Sequence, residues 1–106
     1  MPTFEQAARL AKAWIDVMGE GLAELDPGPT IARPYGWVFF YQSSEFLRDT
    51  SDFRNALVGN APFLVDRVDG EVRVLGTAHS VEWYLAEYEK TIPVARLQMG
   101  IEQPAW

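Results

Sequence analysis

The sequence predicts an α+β domain: a long N-terminal helix and a C-terminal helix pack on one face of an antiparallel sheet of about four strands, with short helices between strands 2 and 3. Three observations lead there. The run Trp37-Val38-Phe39-Phe40-Tyr41 is apolar or aromatic at every position, as expected of a central strand covered on both faces. Asp69-Gly70 sits between two β-branched runs and marks a hairpin from Phe63 to Gly76. Amphipathic stretches with capping residues at their starts precede and follow these strands, so the helices have one sheet to pack on.

The N-terminal helix starts at a capping box, Thr3 with Gln6 three residues later. Phe4, Ala8, Ala11, Ile15, Met18, Leu22 and Leu25 keep to one helical stripe, which Ala7 and Trp14 widen and Leu10 and Val17 border. Asp16, Glu20 and Glu24 recur every four residues on the opposite side. Such a row reads either as a solvated face or as an anionic patch for a basic partner. The helix is expected to end by Asp26-Pro27-Gly28-Pro29, because two prolines and a glycine cannot continue it.

Thr30 to Arg33 then reads as a short strand that Pro34 ends or confines to a sheet edge, and Tyr35-Gly36 turns the chain into the central strand. One turn of helix is expected near Glu45 to Arg48, and a short helix from about Ser51 to Val58, stopped by Gly59. In the hairpin a type I′ turn would set Val68 opposite Glu71, Asp66 opposite Arg73 and Leu64 opposite Leu75. Phe63, Val65, Val72 and Val74 then face the core, and Leu64 and Leu75 face away. Ser80 caps the C-terminal helix, whose apolar residues are Val81, Tyr84, Leu85 and Tyr88. The outward face carrying Leu64 and Leu75 needs a cover, supplied either by Ile101 and Trp106 of the tail or by another molecule.

Composition narrows what the chain does. With 106 residues, 48% of them hydrophobic, it suits one domain over residues 1–106, with a core of about 3–90 and a tail of 91–106. The absence of cysteine excludes disulfides and thiolate metal sites and fits a reducing, cytoplasmic compartment. Fifteen acidic against nine basic residues give a net charge of −6, which repels nucleic acid and anionic membranes and suits a basic protein partner. No cofactor or metal is expected, since neither imidazole clusters nor a phosphate-cradling glycine motif is present. Neither Ser80 nor any nearby acid places His79, the single histidine, in a nucleophile, base and orienter arrangement, so no catalytic residue is assigned and no enzyme is expected.

One ordered series of motifs points to a family. Gly59-Asn60-Ala61-Pro62-Phe63-Leu64-Val65-Asp66, Asp69-Gly70, Leu75-Gly76-Thr77-Ala78 and the helix Glu82 to Glu89 follow Gly36 to Tyr41 and Glu45-Phe46-Leu47. Together they resemble the YrhB domain, or immunity protein 35 family, over roughly Gln6 to Glu89. That resemblance implies either a cytoplasmic immunity protein of a bacterial polymorphic toxin system, which binds and blocks a cognate toxin or enzyme domain, or a small holdase-type chaperone. On either account the chain is a protein-binding module. The expected steering residues are Asp16, Glu20 and Glu24 and the expected anchors Tyr41, Leu64 and Leu75, with a homodimer that buries its sheet faces as a third option.

Overall fold

A computed structural model describes residues 1–52, 54 and 60–106. The elements run α1 (Phe4–Met18), β1 (Ala23–Arg33), β2 (Gly36–Ser43), α2 (Ser44–Arg48), β3 (Phe63–Asp66), β4 (Val72–Val74), α3 (Val81–Glu89) and α4 (Val94–Leu97). The four strands form one antiparallel sheet in the order β1-β2-β3-β4, so the fold is α+β and β2 is internal.

The capping box of α1 is in place: the Gln6 amide donates to Thr3 Oγ1 at 3.2 Å, and the Thr3 amide donates to Gln6 Oε1 at 2.9 Å. Phe4, Ala7, Ala11 and Ile15 form the buried stripe. The helix stops at Met18, about two turns before the expected end, because Gly19 caps it and Glu20 and Gly21 turn the chain at φ +52° and +76°. A residue in that left-handed region cannot continue a right-handed helix. Leu22 leaves the stripe and is exposed, while Leu25 passes to β1 opposite Tyr41.

β1 is consequently eleven residues long rather than the four from Thr30 to Arg33. Its register with β2 shifts between Asp26 and Ile31, so the Asp26-Pro27-Gly28-Pro29 segment is a bulge inside the strand, not a loop before it. The sheet tolerates two prolines there because β1 lies at its edge. The hairpin register also differs from expectation, by two residues: Phe63 pairs with Val74, Leu64 with Arg73 and Val65 with Val72. Only Gly70 in the turn has positive φ, +72°, so a two-residue type I′ turn cannot form. The Asp66 carboxylate instead accepts the amides of Val68 at 2.7 Å and Asp69 at 3.2 Å and shapes a loop over residues 67–70. An even slip preserves the faces.

Both faces of β2 are covered, as its composition requires. On one, α1 packs Phe4, Ala7, Ala11 and Ile15 against Trp37, Phe39, Phe63 and Val65. On the other, α3 brings Leu85 onto Tyr35, Val38, Leu64 and Leu75, with Tyr88, Ile92 and Leu97 around them. The C-terminal helix therefore takes the face opposite α1, correcting the expectation that both helices share one. Ile92 and Leu97, at the start of the tail, thus help to cover Leu64, whereas its last residues cross to the α1 face, where the Glu102 carbonyl accepts from Trp37 Nε1 at 2.8 Å and the Trp106 ring stands edge-on to Phe4 at 5.2 Å. The helical turn expected at Glu45 to Arg48 forms as α2, capped by Ser43, whereas the helix expected over Ser51 to Val58 falls largely outside the described residues.

Candidate functional site

Four strands about 4.8 Å apart make a sheet wider than one helix of roughly 10 Å can cover. On the α1 face the shortfall leaves a groove on either flank of the helix. One, of about 950 Å³, is lined by Trp14, Met18, Leu22, Tyr41, Phe63 and Val74 among others. The second, of about 590 Å³, runs between Ala8, Lys12 and Asp16 of α1 and Ala23, Glu24 and Leu25 of β1. Ile15, Gly21, Ala23, Glu24 and Ser44 line both, so the two meet where α1 ends and β1 begins.

That corner gathers the charged residues singled out by the four-residue spacing, although by a different route. Asp16 stands on the last full turn of α1, Glu20 in the left-handed turn, and Glu24 on β1 opposite Gln42. All three are exposed; Glu24 lines both grooves, Asp16 the smaller one, and Glu45 of α2 joins Glu24 in the larger. Tyr41 also lines this groove, half-buried with its ring 6.3 Å from that of Phe63. Leu64 and Leu75 do not belong to it: they are 0% and 8% exposed beneath α3, so the face expected to offer them as anchors is closed. In their place the corner offers Met18 and Leu22, 62% and 73% exposed, which the overlong helix had assigned to the core stripe. The signal that exposes them was present in Gly19-Glu20-Gly21, since two glycines within three residues favour a helix stop.

A second cluster, behind the opposite face, went unnoticed in the sequence. Asp66 is a fully buried carboxylate. It accepts from the Tyr88 hydroxyl, from the Arg96 guanidinium and from the turn amides. Burial works to raise its pKa, but the Tyr88, Val68, Arg96 and Asp69 donors together hold it below the ordinary carboxylate range. Tyr35 and Tyr88 shift upward, chiefly through burial and then through their bonds to Glu89 and Asp66. With every acceptor position engaged, the cluster works as a lock between the hairpin and the C-terminal helices. His79 stacks its ring on Trp83 at 3.9 Å, away from this cluster. Among the described residues no group of three His, Cys, Asp or Glu side chains is placed to hold a metal ion. No helix among them is long and apolar enough to cross a membrane.

Comparison with known proteins gives two matches. A family model described as immunity protein 35 matches residues 5–91. The protein YrhB of Escherichia coli strain K12, described as uncharacterized, is 48% identical over 54 residues, which are 51% of this chain and 56% of that protein. The matched stretch thus spans little more than half of the relative's length. No solved structure matches.

Proposed function

The chain belongs to the immunity protein 35 family, and on that premise we propose that it is a non-catalytic cytoplasmic module that binds and blocks a cognate bacterial toxin or enzyme domain. One observation carries the reading: exposed Met18 and Leu22 line a groove together with the carboxylates of Glu24 and Glu45, with Glu20 in the turn between Gly19 and Gly21 and Asp16 on the adjoining groove. A mixed apolar and acidic corner of this kind suits a basic partner. The carboxylates raise the rate of encounter, and burial of the methionine and leucine supplies the holding energy. The net charge of −6 favours the same class of partner.

The test is titration against candidate toxin domains, taken first from the products of neighbouring genes. Met18→Asp with Leu22→Asp should weaken binding by tenfold or more, about 1.4 kcal/mol, while leaving the circular dichroism unchanged. Added salt should slow association. Unchanged affinity in the double variant, or a salt-independent association rate, would sink the assignment of the corner. A holdase is the second reading, implied by the resemblance to the YrhB domain. It is favoured by the same exposed methionine, whose flexible side chain adapts to unrelated surfaces. On that reading the parent chain protects several unrelated proteins from heat aggregation, and the double variant protects none.

A further inference from the structure

The corner leaves one apolar feature of α1 unused. Leu10, Ala13 and Val17 are all exposed, Leu10 at 40% and Val17 at 75%, and they follow one another at i, i+3 and i+7. At 3.6 residues per turn these three lie on the side of the helix turned away from the buried Phe4, Ala7, Ala11 and Ile15. Trp14, half-buried, joins the two sides along one flank. The other flank carries Arg9 before the centre of the stripe and Asp16 after it. A solvated helix side would normally be polar at all of these positions.

From this we infer that α1 is also the contact between two copies of the chain, its outer stripe packing antiparallel on the same stripe of a second copy across a two-fold axis near Ala13. In that arrangement the stripe is self-complementary in both its apolar residues and its charges. Reversal sets Leu10 of one copy against Val17 of the partner subunit, and the small Ala13 side chains meet at the axis, where they let the helices approach closely. It also sets Arg9 beside Asp16 of the partner subunit, twice by symmetry, because the two-fold axis of an antiparallel pair keeps this flank of both helices on the same side. Arg9 is at present bonded to Glu5 at 2.6 Å, but both side chains are about three-quarters exposed, and such a pair is readily exchanged. Met18, Leu22, Glu20 and Glu24 lie beyond the ends of this contact. The dimer shares Asp16 with the corner but needs none of those four residues, and its test by mass requires no toxin.

A helix of fifteen residues makes a small contact, so the equilibrium should be visible on dilution. Sedimentation equilibrium of the parent chain should fit a dimer of the 12.0 kDa protomer that dissociates as it is diluted. Val17→Asp should give the monomer at every concentration, with unchanged circular dichroism because the side chain contributes nothing to the core. Arg9→Asp and Asp16→Arg should each weaken association, and the two together should restore it. That rescue is independent of any loss of fold in Val17→Asp. A parent chain that remains at 12.0 kDa up to its solubility limit would overturn the inference. So would a dimer that survives Val17→Asp, or charge variants whose effects simply add.

Discussion

On one face of the sheet α3 and α4 cover Tyr35, Val38 and Leu64 and lock Asp66 through Tyr88 and Arg96, whereas on the other α1, with Trp106 of the tail at one end, spans the strands and leaves Met18, Leu22 and Val74 in water. The first face joins apolar burial to a buried ion pair, which stabilises only because nearly every donor and acceptor is matched. The second carries most of the large aromatic packing at its centre, with Phe4, Trp37, Phe39 and Phe63 in mutual contact, yet its margin is unfinished. In a small domain the two jobs are separated in this way: the latched face holds the fold, and the margin of the open face is free to meet another molecule.

The strongest way to break this contrast is at Asp66. Asp66→Ala strands the Arg96 guanidinium in a mostly buried position and should cost about 3–5 kcal/mol in urea unfolding. Leu64→Ala should cost about 2–5 kcal/mol, since the side chain is wholly enclosed. Met18→Ala and Leu22→Ala should stay within about 0.5 kcal/mol, and a loss at Met18 equal to that at Leu64 would erase the distinction between the faces.

Acid sharpens the same contrast. The Asp66 pKa is lowered on folding, so the carboxylate contributes stability at pH values above its unfolded range, and that contribution disappears as pH falls through the folded value. Stability of the parent should drop along this acid limb, and Asp66→Asn should flatten it, both read as urea midpoints against pH. Tyr35 works with the opposite sign. Its raised pKa keeps its contribution intact below the ordinary tyrosine range and removes it as pH climbs beyond. The smallest effect belongs to the open face: Glu20→Gly relieves a left-handed backbone and should raise stability by up to about 1 kcal/mol while weakening capture of a basic partner.

Much of this fold could be read in the chain. The capping box at Thr3, the internal position of Trp37 to Tyr41 and the alternation in Phe63 to Asp66 each rest on local chemistry that tertiary contacts did not override. The misreadings have physical causes. A stripe at helical spacing continued through Gly19-Glu20-Gly21 because periodicity does not register a φ reversal. The hairpin slipped because the Asp66 side chain competes with Asp69-Gly70 for control of the turn, and its bonds to Arg96 and Tyr88, thirty and twenty-two residues on, hold it there. Of the residues expected to meet a partner, Asp16, Glu24 and Tyr41 line the grooves beside α1 and Glu20 stands in the turn that follows it, but Leu64 and Leu75 were assigned to an open face that α3 closes.

What the sequence determined by itself was the kinds of element, their order and the pair of faces each strand presents, because capping, turn-forming residues and side-chain alternation act over a few residues. Which face received which helix, and so which apolar residues stayed in water, was decided by the tertiary structure. Leu64 and Met18 are equally apolar as letters, and only the packing of Leu85 over one and the reversal of the chain after the other make the first a core residue and leave the second exposed.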